Sequence, residues 1–154
     1  MKFTVDRSRS IISAMILARK VTAMDVVWLR REVFNGGVVT RDAADELFAV
    51  ECAGVDTGPE WTELFVEMIT EHVVWESRPT GVLNEAQAEW LIERCDACRS
   101  VNALAVLVNV LSEAHRAPRW FLAAVRARAA QGWTGVAEAL ALAAGETTRS
   151  AACA

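Results

Sequence analysis

Four cysteines, two histidines and a run of glutamates are the residues of this chain whose types could do chemistry. Cys95-Asp96-Ala97-Cys98 has the CxxC spacing that serves zinc binding or dithiol redox work, with Cys52 and Cys153 elsewhere in the chain. Zinc takes four ligands, yet there is no second CxxC and no HxxxH, and His72 and His115 stand far apart in sequence. Redox CxxC pairs normally open a helix that follows a strand, and no strand is expected here. The pair is therefore read as helical neighbours, one thiol in the core and one at its edge. The four cysteines could in principle pair as disulfides; in a reducing compartment they would stay free. Di-metal bundles use Glu-x-x-His motifs, and neither histidine has a glutamate three residues before it. GxSxG, HExxH, P-loop and GxGxxG patterns are missing. No catalytic residue, no metal and no cofactor is expected.

Glu60, Glu63, Glu67 and Glu71 run down one side of a predicted helix. Like charges at this spacing repel, by a few tenths of a kcal/mol per pair, so the row is either plain solvated surface or a docking face for basic partners. Six tryptophans are many for a chain of 154 residues. With glycine counted, the apolar share exceeds the ~45–50% usual in soluble domains, which suggests that some of this surface meets another protein. Trp75 and Trp90 fall off the main apolar stripes and are the candidates for exposed anchors, with Met68 beside them.

These residues must be positioned by helices. The chain is 53% hydrophobic and 23% charged, with three prolines and eight glycines, which implies one all-α domain over residues 1–154 with six to eight helices. Arginine outnumbers lysine fourteen to two, and with the alanine richness this reads as the coding bias of a GC-rich bacterial genome. The net charge of −4 hides a segregation: residues 1–20 carry five bases and one acid, residues 21–93 four bases and fifteen acids, and residues 94–154 seven bases and four acids. An acidic middle lacks the continuous positive face that nucleic acid requires. Head-to-tail self-association is easier, so a homo-oligomer is among the expected assemblies. The apolar stretch Ile11 to Ala18 is followed by Arg19 and Lys20 without a small-residue cleavage site, so it is not read as a secretory signal. Val101 to Leu111 is the most apolar run and falls short of the ~20 residues of a membrane span. A cytoplasmic location follows from these two readings.

Caps and apolar period place the helices. Thr22 with Asp25 makes a capping-box-like start; Thr40, Asn84 and Ser100 cap later helices, and Pro59 opens another. Asn35-Gly36-Gly37 should end the first of these. Val101 to Arg116 is apolar on nearly every side and is expected to be the buried central helix. Trp120 to Ala130 and Val136 to Ala144 are two further predicted helices, so that residues 100–145 complete the core, and the last ten residues are expected to fray.

Gly37 to Phe48 (GVVTRDAADELF) aligns without gaps on Gly81 to Ile92 (GVLNEAQAEWLI), a period of 44 residues with four identities. Each copy is Gly at a turn, two apolar residues, a capping residue and an amphipathic helix. A helix, a Gly turn, an apolar residue two places on and a capped second helix resembles the EF-hand, over residues 22–98. The resemblance implies two paired helical hairpins with Val39 facing Leu83 across a short ribbon. It does not extend to calcium: the first, third, fifth and closing loop positions hold Glu32, Phe34, Gly36 and Ala43 in one copy and Glu76, Arg78, Thr80 and Gln87 in the other. The helix starts are also similar to those of the bacterial helical domain associated with tellurite resistance, which implies a metal-binding or stress-related role as the alternative.

The expected function is a non-enzymatic protein-interaction module without calcium sites, its partner surface formed by Glu60, Glu63, Glu67, Glu71, Met68, Trp75 and Trp90. The resemblance puts that surface in a groove between the third and fourth predicted helices, where a basic or apolar helix would sit, and residues 1–20 are a built-in candidate for it. A helical enzyme would instead need a cleft lined by His72 or His115 with carboxylates.

Overall fold

The computed structural model describes residues 11–34, 36, 38–131 and 133. The described residues form seven helices and no strand: α1 (residues 11–18), α2 (Ala23–Glu32), α3 (Arg41–Cys52), α4 (Pro59–Thr70), α5 (Glu85–Cys98), α6 (Val101–Glu113) and α7 (Arg119–Ala130). A π turn, Glu71–Trp75, extends α4. The predicted helix Val136 to Ala144, the frayed end, and Asn35 and Gly37 lie outside the described residues.

The starts of these helices obey local chemistry. Thr22 Oγ1 accepts from the Asp25 amide at 3.1 Å and the Asp25 carboxylate accepts from the Thr22 amide at 2.9 Å, a reciprocal capping box. Thr40, Asn84 and Ser100 accept from the third amide of α3, α5 and α6, and Pro59 stands at the first turn of α4 where its missing N–H costs nothing.

The core gathers one apolar stripe from each helix. Trp61 stacks on Phe65 at 5.8 Å, Phe65 meets Phe48 edge to face at 5.0 Å, and Phe48 meets Trp90 at 5.7 Å. Leu29, Leu47, Leu64, Ile69, Leu91, Leu107 and Phe121 fill the space around this aromatic chain. Ile12 and Met15 of α1 belong to the same core, so half of the basic first twenty residues is built into the fold.

α6 departs from expectation in two ways. It packs against α4, α5 and α7, but Val101 and Val108 are 38% and 51% exposed, so one of its faces is open rather than buried. It also ends at Glu113, short of Arg116, because residues 115 and 116 pair with the turn before α5. The His115 amide donates to Gly81 C=O at 2.7 Å and the Leu83 amide to Arg116 C=O at 2.9 Å. Gly81 has φ +81°, and a Cβ there would stand 2.6 Å from His115 Cδ2. Val82 thus bridges to Arg116 and not to Val38 or Val39. The expected ribbon is replaced by side-chain contacts: the Val39 amide donates to Glu76 Oε1, and its carbonyl accepts from His72 Nδ1 at 2.8 Å.

The cysteines also differ from expectation. Cys52 and Cys98 are joined by a disulfide that ties the end of α3 to the end of α5. Their helix ends are brought side by side, with a Cα–Cα separation of 4.6 Å across 46 residues of sequence. Cys95, one turn before Cys98, is a buried free thiol that burial pushes far above the ordinary cysteine range.

Candidate functional site

An open cleft of about 550 Å³ lies where α4 runs along α6. The apolar stripe of α4, Trp61, Leu64, Phe65 and Ile69, faces the core and turns the glutamates outward. Glu63, Glu67 and Glu71 therefore line the cleft from one side, joined by Trp75 from the π turn. Here the Glu76 amide bonds to Glu71 C=O at 2.9 Å, the five-residue step of a π-helix. α6 contributes Asn109 and Glu113, and α2 contributes Arg30.

The cleft is ordered by cross-helix bonds. Trp75 Nε1 donates to Glu113 Oε1 at 3.0 Å, while Asn109 Nδ2 donates to Glu113 Oε2 at 2.7 Å and to Thr70 Oγ1 at 2.9 Å. Arg30 pairs with Glu67 at 2.9 Å on the outer side, where solvent screens both groups. Among the described residues four carboxylates thus share the cleft with one guanidinium. Burial raises the Glu71 carboxyl above its ordinary value, and repulsion from Glu76, Glu113 and Glu67 adds to the rise.

Of the predicted surface residues, Glu63, Glu67, Glu71 and Trp75 come together here. Met68 lines an adjoining hollow with Phe34 and Arg30. Glu60 is exposed at the start of α4 and does not line the cleft. Trp90 is not an exposed anchor. It is 9% exposed, its ring edge meets His72 at 5.4 Å, its Nε1 donates to Asp45, and the Arg41 guanidinium lies 4.3 Å from the ring centre. The acidic groove is accordingly between α4 and α6, with α2 at its rim, and not between α4 and α5. Arg30, Asn109 and Glu113 are not visible from the glutamate row because each lies on another helix, more than thirty residues from Glu63, Glu67 and Glu71; the sequence signal for α6 is its four polar residues, Asn102, Asn109, Ser112 and Glu113, in a mostly apolar helix.

A second hollow, of about 490 Å³, is lined by His72, Trp75, Glu76, Ser77 and Gln87 among others. Its histidine has no nitrogen to offer a substrate. Nδ1–H donates to the Val39 carbonyl, and Nε2 accepts from Arg41 Nε at 3.2 Å. Burial lowers the His72 pKa from its ordinary value, with Arg41 adding to that effect. Gln87 accepts from Arg41 Nη2 and donates to Ser77 Oγ, so this polar group is a clasp between the start of α3, the π turn and α5. His115 meets Trp75 edge to face at 6.1 Å and packs on Gly81. Among the described residues no three His, Cys, Asp or Glu side chains are grouped to hold a metal ion, and no helix is long and apolar enough to cross a membrane.

Comparison with family profiles, with curated proteins and with solved structures found no match for this chain.

Proposed function

We propose that this protein is a non-enzymatic interaction module whose acidic cleft receives a positively charged segment of a protein partner. The observation that carries this reading is the excess of charge in the cleft: among the described residues Glu63, Glu67, Glu71 and Glu113 line it with Arg30 as the one cation. Such a field attracts cations, and a guanidinium-rich segment is matched both by the carboxylates and by the Trp75 ring. In this reading the hairpins α2–α3 and α4–α5 are an EF-hand-like scaffold that holds carboxylates for a peptide and not for calcium. The engagement of both ring nitrogens of His72 by the fold favours this over an enzyme. Residues 1–10 carry Lys2, Arg7 and Arg9, which makes them the chain's own basic competitor for the cleft.

Titration calorimetry with a short arginine-rich peptide tests the reading. Binding should weaken as salt rises, and Glu63→Arg with Glu67→Arg should make it both weaker and less salt-sensitive. Equal affinity for an acidic peptide, or an unchanged salt dependence in the double variant, would refute it.

A further inference from the structure

The acidic cleft continues into an apolar one. Val66 and Asn109 line both the carboxylate cleft and a second hollow of about 440 Å³ along the same α4–α6 seam. There α6 presents Val101, Ala105 and Val108, spaced four and three residues apart and so on one face of the helix, with Leu104 below them. Val101 and Val108 are among the exposed large apolar side chains of the molecule.

We infer that this single furrow is the seat of an amphipathic α-helix of a partner protein, its apolar stripe on Val66, Val101 and Val108 and its basic residues over Glu67, Glu71 and Glu113. The inference rests on the acidic docking role proposed above and adds the form of the ligand. The furrow walls are helices, whose backbone N–H and C=O groups are already paired within themselves. An extended segment laid on the apolar floor would find no backbone partner there, and each unpaired polar group costs about 1–3 kcal/mol. A helix brings its own hydrogen bonds and offers side chains at the three- and four-residue spacing of the α6 stripe. Charge decides against a second copy of this furrow as occupant. Two such faces would bring their carboxylates together, whereas a basic helix neutralises them.

The test uses the full chain and two fluorescently labelled peptides of identical composition, each about 18 residues and so ~27 Å long as a helix. In one, leucines form a helical stripe and arginines cluster at one end; in the other, the same residues are scrambled. The striped peptide should bind about tenfold tighter than the scrambled one. Val108→Asp, at an exposed position, should abolish that difference while leaving the melting temperature unchanged. Equal binding of the two peptides to the wild-type chain would overturn the helical ligand and leave the acidic cleft standing; binding of neither would overturn both. A concentration-dependent dimer that Val108→Asp dissociates would give the face to a second copy. Tighter peptide binding after removal of residues 134–154 would give it to the chain's own carboxy-terminal segment. Either result overturns the inference.

Discussion

Trp75 donates its indole N–H to Glu113 at 3.0 Å, joining the π turn after α4 to the last turn of α6 across 38 residues of sequence. The same indole lines the acidic cleft and packs against His115. Trp75 therefore orders the Glu113 carboxylate and supports the connection from α6 to α7. Trp75→Phe keeps the ring and removes the donor. It should lower stability by about 0.5–1.5 kcal/mol in urea unfolding, the net worth of one hydrogen bond. No loss would show that Asn109 alone holds Glu113.

His72 predicts a pH dependence. Burial lowers its folded pKa below the ordinary 6.5 of the unfolded chain, so the unfolded state takes up the proton first. The stability contributed by neutral His72 is complete above that unfolded value and is lost as pH falls through it toward the lower folded value. Protonation of Nε2 would also set a cation against Arg41, while Asp45 and Glu76 face the ring with opposing charge. Glu76, raised by burial, acts in the other direction and gains stability on acidification. The difference between wild type and His72→Gln isolates the histidine. Urea midpoints from about pH 8 to about pH 5 should converge as pH falls, and parallel curves would contradict the assignment.

The disulfide closes a large loop between α3 and α5. Cys52→Ser should cost about 2–4 kcal/mol, through the freedom returned to the unfolded chain. Adding dithiothreitol to the wild type should produce the same shift in unfolding midpoint and should leave Cys52→Ser unaffected. A reductant-insensitive wild type would show that the bond contributes nothing to stability.

Gly81 combines a positive φ with a close neighbour. Gly81→Ala should destabilise by about 1–3 kcal/mol, from the left-handed backbone and the contact with His115. His115→Ala in that background removes the neighbour and should recover part of the loss. Additive costs in the double variant would place all of the effect in the backbone.

Local chemistry is legible in the residues alone. Thr22, Thr40, Asn84 and Ser100 cap helices because a cap bonds to an amide three residues away, within reach of the chain whatever the rest of the molecule does. The all-helical class and the outward row of Glu63, Glu67 and Glu71 follow in the same way from helical period. Tertiary structure decided what depends on partners distant in sequence. Trp90 reads as surface from its own helix, yet Phe48, His72 and Arg41 from two other elements enclose it. Cys98 pairs with Cys52 and not with its neighbour Cys95 because the ends of α3 and α5 meet while Cys95 points into the core. α6 stops early because Gly81 and Leu83 supply backbone partners that compete with its last turn. The cleft itself is of this second kind: one helix supplies the carboxylate row, but its depth, its fourth carboxylate and its apolar continuation exist only because α6 lies beside α4.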